Sequence, residues 1–158
     1  MIIKELQKTF EYKNGEIFWK TKVGNKKIGD KAGCTNSLGY KKVIFRKKEY
    51  LVHRVVFALH NGFMPEFIDH IDRNKSNNQI ENLREATKKE NGYNRKLNKN
   101  NKSGIKGISW HKNINKWQVL INVDGRQKYL GCFKDIKNAI KVMKLNRIEH
   151  HKNFARFV

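Results

Sequence analysis

Short runs of strand-forming residues that meet at an Asn-Gly or Asp-Gly pair constrain the fold of this chain more than any other feature. Asn14-Gly15 precedes the aromatic run Glu16–Trp19, and Asp124-Gly125 separates Lys116–Val123 from Gln127–Phe133. These dipeptides favour the two-residue turn that joins twisted antiparallel strands, so each one predicts a β-hairpin. With one such hairpin in each half of its 158 residues, the chain is expected to form small antiparallel sheets.

The first half contains a second predicted strand pair and then a helix. Gly39–Phe45 and Lys48–Val52 are the strand-forming runs, and Arg46-Lys47 is the turn between them. From His53 to Asn61 the apolar residues follow the helical period, and the pattern stops at Gly62. Residues 10–52 therefore predict a small antiparallel sheet that a helix follows.

A strand, a loop, a second strand and a helix are predicted next. Phe67-Ile68 forms a brief apolar strand with Asp69-His70 at its end, and Ile80–Leu83 is the predicted partner strand. Thr87–Glu90 has the Thr-x-x-Glu pattern of a capping box, which predicts that a helix begins there.

The second half predicts a separate domain. Residues 95–103 contain one apolar residue among nine, a composition that is typical of a linker. Beyond it, Gly107–Trp110, Lys116–Val123 and Gln127–Phe133 predict three strands, and Asp135 is expected to cap a helix that ends at about His150. The predicted fold class is α+β, with a first domain at 1–94, a linker at 95–103 and a second domain at 104–158.

The charge of the chain indicates a polyanionic partner. Lys and Arg number 35 against 14 acidic residues, which gives a net charge of +21 and a pI near 10.1. For a folded protein this favours nucleic acid first and a membrane surface second. No segment approaches the ~18 apolar residues of a membrane span, and Met1–Leu6 turns polar too early for a secretory signal. We therefore expect a soluble, intracellular protein.

The order Asp69-His70, Asn82, Asn91 is that of a one-metal phosphodiesterase site. Asp69 and Asn91 offer oxygen atoms of the kind that magnesium and manganese prefer. His70, with an unperturbed pKa of about 6.5, can take a proton from water at neutral pH. Neighbouring residues of a strand leave opposite faces, so a site that uses both Asp69 and His70 requires a twist or a loop at this point.

A longer set of residues resembles a known family. His53-Arg54, Ile68–Asp72, Asn77-Asn78, Ile80, Asn82–Arg84, Ala86-Thr87, Glu90-Asn91 and Asn94 together resemble the HNH endonucleases of phages, especially the intron-associated homing type. The resemblance covers about residues 50–95. It implies that His70 is the general base, that Asp69 and Asn91 hold one divalent metal, and that Asn82 braces the loop that carries the base.

The resemblance leaves the roles of some other residues open. His53, Arg54 and Arg84 fit the family pattern, either as contacts to the scissile phosphate or as braces of the site, and His53 and Arg84 are counted among the catalytic candidates. For Asp72, the choice lies between a metal ligand and a loop residue, and the loop role is favoured. Asn94 is expected to contact the metal ligands rather than the metal itself.

A second resemblance covers nearly all of residues 103–157. Ser103–Trp110, Lys116–Ile121, Tyr129–Phe133, Ala139 and Asn153–Ala155 resemble the apetala-two/ethylene-response-factor DNA-binding domain. That family lays one face of a three-stranded sheet in the DNA major groove. Alternation places Trp117, Val119 and Ile121 against the helix. It leaves Gln118, Leu120 and Asn122 on the face toward DNA. The resemblance implies that the same face also includes Lys106, Ser109, Trp110, His111, Arg126 and Tyr129.

The predicted function is a metal-dependent DNA endonuclease that acts in the cytoplasm of a bacterial host. It is expected to use Mg²⁺ or Mn²⁺, to act on double-stranded DNA and to leave 3′-hydroxyl and 5′-phosphate ends. A monomer with one catalytic motif should nick, whereas a double-strand break needs a dimer on DNA or two successive events. The alternatives are a DNA-binding regulator that keeps the fold without cutting and a nuclease directed at RNA.

Overall fold

The computed structural model describes residues 2–94, 97 and 100–155. It divides into two compact units, Met1–Thr87 and Lys88–Val158. Each unit combines helices with small antiparallel sheets, which confirms the predicted α+β class. No helix in the described part of the chain is long and apolar enough to cross a membrane.

The first unit is built from three antiparallel sheets and two helices. Its sheets have the strand orders β1-β2-β3, β4-β5-β6 and β7-β8. The elements in chain order are α1 (Ile2–Thr9), β1 (Phe10–Lys13), β2 (Glu16–Trp19), β3 (Lys31–Ala32), β4 (Cys34–Thr35), β5 (Lys41–Phe45), β6 (Lys48–Leu51), α2 (Val52–Asn61), β7 (Phe67–His70), a 3-10 turn (Ile80–Asn82) and β8 (Leu83–Ala86).

The predicted turns of this unit are confirmed. Asn14 and Gly15 have φ values of 50° and 79°, and Arg46 and Lys47 have φ values of 49° and 62°. Positive φ at both central residues is what a type I′ turn requires, and this turn matches the twist of the strands that it joins. The turns close the hairpins β1-β2 and β5-β6.

The core of the first unit lies around α2. Val52, Val55 and Val56 are fully buried, and they belong to one apolar cluster with Leu6 of α1 and Ile17 of β2. The predicted helix at 53–61 is therefore confirmed. It ends at Gly62, whose N–H donates to the carbonyl of Ala58 at 3.0 Å.

The partner strand of β7 begins later than its predicted start at Ile80. Residues Ile80–Asn82 form a 3-10 turn, and the strand is Leu83–Ala86. The carboxamide of Asn82 is hydrogen-bonded to the preceding loop, so pairing starts one residue later, with Leu83 opposite His70. The prediction of a strand at 80–83 was wrong by three residues at its start.

The second unit has one antiparallel sheet of order β11-β10-β9 and a long helix. The three predicted strands are confirmed to within one residue at their ends, and so is the helix: the carboxylate of Asp135 accepts a hydrogen bond from the N–H of Lys137 at 2.9 Å. The elements are α3 (Lys88–Tyr93), β9 (Ile108–His111), a 3-10 turn (Lys112–Ile114), β10 (Lys116–Val123), β11 (Arg126–Phe133), α4 (Ile136–His151) and a 3-10 turn (Lys152–Phe154).

One face of this sheet packs on α4. Val119 and Ile121 of β10 are buried with Ala139 and Met143 of α4. Gly107 lies where the chain enters the sheet, and a Cβ there would lie 2.3 Å from the carbonyl oxygen of Leu120. The close backbone approach therefore requires glycine at this position.

Helix α3 is held within the second unit. The ring of Tyr93 stacks on that of His151 at 3.8 Å, and the Tyr93 hydroxyl accepts a hydrogen bond from the N–H of Asp124. The compact unit therefore starts at Lys88, whereas the predicted nuclease domain runs to residue 94. Positions 95, 96, 98 and 99 of the predicted linker lie outside the described residues.

Candidate active site

Asp69 is held by an arginine on the neighbouring strand. The β7-β8 register sets Asp69 directly opposite Arg84. Nε and Nη2 of Arg84 both donate to Oδ2 of Asp69, at 2.9 and 2.6 Å. Because charge-assisted bonds of this length are strong and directional, the arginine orients the carboxylate.

His70 lies on the other side of the hairpin. Its cross-strand neighbour is Leu83, which belongs to the apolar core. Nε2 of His70 lies 3.1 Å from Oδ1 of Asn78, and both side chains are buried. The base predicted from the sequence therefore has a partner that the sequence analysis did not assign.

The ring of His70 packs in an aromatic cluster with Tyr40 and His53. The His53 ring lies 4.9 Å from that of His70 at 76°, and the Tyr40 ring lies 5.5 and 6.2 Å from the two histidine rings. Burial, together with the charges of His70 and Arg54, lowers the pKa of His53 to about 3. His53 is therefore neutral at neutral pH, and its buried Nδ1 has no hydrogen-bond partner among the described residues.

The β7-β8 hairpin does not bring Asp69 and His70 onto one face. The pairing is regular from Phe67↔Ala86 through His70↔Leu83, without a bulge. The contacts agree with this alternation, since Asp69 meets Arg84 and His70 meets Asn78. Strand β7 ends at His70, so of the twist or loop that a shared site requires, the structure provides the loop, which begins at Ile71.

Asn82 connects the two ends of the loop after β7. Its Oδ1 accepts from the N–H of Asp72 at 3.0 Å, and its Nδ2 donates to the carboxylate of Asp72 at 2.9 Å and to the carbonyl of Asn77 at 2.8 Å. Its own carbonyl accepts from the N–H of Ile71 at 2.9 Å. This geometry supports the predicted bracing role.

Asp72 is a loop residue in this structure. Its carboxylate also accepts hydrogen bonds from the N–H of Asn74 and from Nδ2 of Asn77, both at 2.7 Å. Burial raises the pKa of Asp72, but the hydrogen bonds from Asn77, Asn74 and Asn82 outweigh burial and leave the pKa below its usual value. A carboxylate with this many donors is best explained by shaping the loop, as the sequence analysis favoured.

The N-terminal sheets support the same loop from outside. The hydroxyl of Tyr12 accepts from the N–H of Ile80 at 3.2 Å, and the hydroxyl of Ser76 donates to the carbonyl of Gly39 at 3.3 Å. These contacts cross more than thirty residues of sequence. The small sheets of residues 10–51 thus position the loop that carries Asn78 and Asn82.

Arg54 braces the chain ahead of β7. Nη1 donates to the carbonyl of Glu66 at 2.9 Å, and Nη2 donates to the carbonyl of Pro65 at 2.7 Å. Of the two roles left open for Arg54, the structure therefore favours the brace. Arg84 is engaged with Asp69, as described above.

The two predicted metal ligands lie in different units, Asp69 on β7 and half-buried Asn91 on α3. Carboxylate and carboxamide oxygens are donors that Mg²⁺ and Mn²⁺ accept, and Asp69 already binds the cationic group of Arg84. The chemistry of these donors therefore fits a hard cation. Within residues 2–94, 97 and 100–155, no three His, Cys, Asp or Glu side chains are grouped as a metal site.

The strand register of the second unit shows which of the residues predicted to face DNA share one face of the sheet. Cross-strand partners share a face, and the pairs on the face away from α4 are Ser109↔Gln118, His111↔Lys116, Leu120↔Tyr129 and Asn122↔Gln127. Six of the nine predicted residues, Ser109, His111, Gln118, Leu120, Asn122 and Tyr129, therefore lie together on this surface, which we call the outer face.

The structure does not place the other three predicted residues there. Trp110 pairs with Trp117, and the two rings lie 5.1 Å apart on the α4 side. Arg126 pairs with Val123 on that side as well. Nζ of Lys106 donates to the carbonyl of Gly92 at 3.1 Å, so this amine is engaged with the end of α3. The positions predicted for Trp110 and Arg126 were wrong because strict alternation separates them from Ser109 and Tyr129.

Sequence reasoning missed two members of the site, Asn78 and Tyr40. Asn78 belongs to the run of residues that resembles the HNH family, but no role followed from its position in a polar loop. Tyr40 follows Gly39 in a different sheet region, so its approach to His53 and His70 is a tertiary feature. A buried asparagine beside a predicted base is recognisable only once the loop is folded.

Comparison with known proteins gives three similarities. Residues 50–93 match the model of a family described as HNH endonuclease. The chain is 38% identical over 107 residues to Protein 3.8 of Escherichia phage T7. That alignment covers 66% of this chain and 88% of Protein 3.8. It is also 43% identical over 61 residues to the uncharacterized HNH endonuclease L560 of Acanthamoeba polyphaga mimivirus. That alignment covers 37% of this chain and 32% of L560.

One solved structure also resembles the chain. It is described as DNA binding and cleavage by the HNH homing endonuclease I-HmuI. The alignment has a TM-score of 0.45 and 23% identity, and it covers 95% of this chain and 89% of the other.

Proposed function

This chain belongs to the family of Protein 3.8 of phage T7 and carries an HNH endonuclease domain at residues 50–93, and from that premise we propose that it is a metal-dependent DNA endonuclease. The observation that carries the proposal is the placement of His70. This imidazole is buried at the end of β7, hydrogen-bonded to Asn78 and enclosed by a loop that Asn82 braces.

His70 acts as the general base. It removes a proton from the attacking water, and its fixed orientation means that little reorganisation is needed when water and phosphate are in place. Asn82 contributes by keeping the loop of residues 71–78 closed behind the ring. Arg84 holds the carboxylate of Asp69 in one orientation.

Asp69 and Asn91 are the proposed ligands of one divalent cation, Mg²⁺ or Mn²⁺. When bound, such a cation supplies positive charge that stabilises the pentacovalent phosphate and the leaving 3′ oxygen. The products are 3′-hydroxyl and 5′-phosphate ends. With one set of these residues in the chain, a monomer nicks one strand.

The outer face of β9, β10 and β11 is the proposed surface for duplex DNA. It presents hydroxyl, amide, imidazole and phenol groups, which can bond to base edges and phosphates. The net charge of +21 supplies a general attraction to the backbone. The relative in Escherichia phage T7 fits an enzyme that acts inside a bacterial host.

A DNA-binding regulator that does not cut is the second candidate. The observation that favours it is the ion pair of Arg84 with Asp69, because a guanidinium on Oδ2 neutralises the carboxylate without a metal. In the enzyme, a metal ion must bind beside this pair or displace it. In the regulator, the pair persists and DNA is bound intact.

The test measures conversion of supercoiled plasmid to nicked circles. It compares the wild-type protein with Mg²⁺ or Mn²⁺, the wild-type protein with EDTA, and the variant Asp69→Asn with metal. We expect nicked circles with metal, none with EDTA, and a loss of cutting by Asp69→Asn with DNA binding retained. Ligation and end-labelling should identify 3′-hydroxyl and 5′-phosphate ends. Tight binding with intact plasmid under every metal condition would support the regulator, and cleavage of matched RNA but not DNA would support a nuclease directed at RNA.

A further inference from the structure

Asn78 is among the most deeply buried side chains of the first unit, with 1% of its surface exposed. Its neighbours in the loop, Asn74 and Asn77, are used for turns and are hydrogen-bonded to backbone or to Asp72. The carboxamide of Asn78 instead points to the ring of His70. Burying an amide costs free energy unless it is hydrogen-bonded. The contact with His70 satisfies Oδ1 of Asn78, whereas its buried Nδ2 has no hydrogen-bond partner among the described residues.

The contact has a definite chemical direction. Oδ1 of Asn78 lies 3.1 Å from Nε2 of His70, and a carboxamide oxygen can only accept. With Oδ1 toward the ring, the hydrogen of this contact is one carried by Nε2. A neutral imidazole has one N–H, so Nδ1 is then the nitrogen that can take a proton.

The surroundings hold this arrangement in place. The rings of His53 and Tyr40 pack against His70 and oppose rotation of its ring. On the other side, Gly15 of the first hairpin lies against the backbone of Asn78, where an added Cβ would lie 3.3 Å from the Asn78 carbonyl carbon. The asparagine and the histidine are thus fixed by packing from three separate elements.

We propose that Asn78 is a positioning residue that fixes the tautomer of His70, with the proton on Nε2 and Nδ1 as the basic nitrogen. The proposal rests on the proposed function of His70 as the general base. It assigns the reacting atom within that residue and gives the reason for a buried amide behind it. Asn78 acts through His70 and touches neither DNA nor metal.

The first test measures the tautomer without catalysis. The full-length protein is labelled with ¹⁵N at histidine, and long-range ¹H–¹⁵N correlation spectra are recorded in alkaline buffer, with His70→Gln for assignment. We expect the pyrrole-type signal at Nε2 and the pyridine-type signal at Nδ1. The reverse pattern overturns the proposal, because it means that the Asn78 amide is turned and donates to Nε2.

Two variants of similar size supply the second test. Asn78→Asp keeps an oxygen that accepts from Nε2, whereas Asn78→Leu removes it. We expect Asn78→Leu to show both tautomers and to cut about 10- to 100-fold more slowly in a single turnover, with the DNA dissociation constant unchanged. Asn78→Asp should keep the proton on Nε2 and cut faster than Asn78→Leu.

These results separate the proposal from the proposed function. If His70→Ala still cuts, His70 is not the base, yet the spectrum still reports whether Asn78 sets its tautomer. If Asn78→Leu is folded and keeps a single Nε2–H tautomer at the wild-type rate, Asn78 has no positioning role. If Asn78→Leu does not fold, the wild-type and Asn78→Asp spectra decide the question by the same criterion.

Discussion

The loop of residues 71–78 and the outer face of the second unit contain similar polar side chains but hold them in opposite ways. In the loop, Asp72 and Asn77 are hydrogen-bonded to each other and to Asn82 of the following 3-10 turn. On the outer face, Asn122 is exposed, and its Oδ1 accepts a hydrogen bond at 3.2 Å from the N–H of Gly125 in its own hairpin turn. The loop is closed by a buried asparagine with several hydrogen bonds, whereas the outer face presents exposed polar side chains to solvent.

This difference matches the two proposed tasks. A general base must be oriented before the substrate arrives, because freedom of the ring lowers the rate of the chemical step. A DNA-binding face gains from donors and acceptors that are unsatisfied until DNA supplies their partners. Removal of a side chain should therefore affect stability and cutting in the loop, and DNA affinity on the outer face.

The largest difference is expected between Asn82→Ala and Asn122→Ala. Asn82 is itself buried, and Asn82→Ala removes its hydrogen bonds with the N–H and carboxylate of Asp72 and with the carbonyl of Asn77. Their loss should cost about 2–4 kcal/mol of unfolding free energy and slow cutting by about 10-fold or more. Asn122→Ala should cost less than about 1 kcal/mol. Urea unfolding and plasmid nicking measure both, and equal losses of stability in the two variants would remove the distinction between the regions.

The acid sensitivity of the first unit should depend on His53. The folded-state pKa of about 3 lies below the unfolded value of about 6.5, so the unfolded chain binds the extra proton between these values. Stability should fall by up to about 1.4 kcal/mol per pH unit as pH drops from 6.5 toward 3. In His53→Gln, the free energy of unfolding should lack this part of the pH dependence, and it should differ from that of wild type by a constant amount above pH 7. Urea unfolding from pH 4 to 8 measures both proteins, and parallel curves of unfolding free energy against pH would contradict the prediction.

Trp110 and Tyr129 test the face assignment of the second unit. Trp110→Ala removes the ring that packs on Trp117 and should cost about 1–2 kcal/mol of stability without changing DNA affinity. Tyr129 is 57% exposed on the outer face, so Tyr129→Ala should weaken DNA binding by about 10-fold and leave stability unchanged. Fluorescence anisotropy at fixed salt measures DNA affinity, and thermal unfolding measures stability. Loss of affinity in Trp110→Ala and loss of stability in Tyr129→Ala would contradict the face assignment.

The smallest effect is expected at helix α3. Tyr93→Ala removes the stack on His151 and the acceptor for the N–H of Asp124, so the amides of α3 should exchange faster by about 5-fold, equivalent to about 1 kcal/mol. Tyr93→Phe keeps the stack and serves as the matched control. Hydrogen exchange followed by mass spectrometry makes the comparison, and unchanged exchange in Tyr93→Ala would mean that other contacts hold the helix.

Much of the fold was predictable because its signals are local. The turns at Asn14-Gly15 and Asp124-Gly125, the period of α2 and the cap at Asp135 each depend on a few adjacent residues. Helix α1 was missed because its eight residues contribute a single fully buried side chain, Leu6. The start of β8 was misplaced because a tertiary hydrogen bond of Asn82, rather than strand propensity, decides where pairing begins.

The site was predictable in composition but not in geometry. Residue order identified Asp69, His70, Asn82 and Asn91, since the family pattern is linear in sequence. Tyr40, which packs against His70, comes from a distant part of the chain, and no local pattern encodes it. The family pattern identified Arg84 but not its ion pair with Asp69, which depends on the strand register. The face of Trp110 was misjudged because the resemblance was applied to it without the alternation that was applied to β10.

The central claim is that His70 activates the water in metal-dependent DNA cleavage. The most direct test compares single-turnover nicking of a plasmid by wild type, His70→Ala and His60→Ala at saturating protein and equal Mg²⁺. His60 is an exposed histidine of α2 and serves as the control. We predict that His70→Ala cuts on the order of 10²–10⁴-fold more slowly with DNA binding intact, while His60→Ala matches wild type. Cutting by folded His70→Ala at the wild-type rate would contradict the claim.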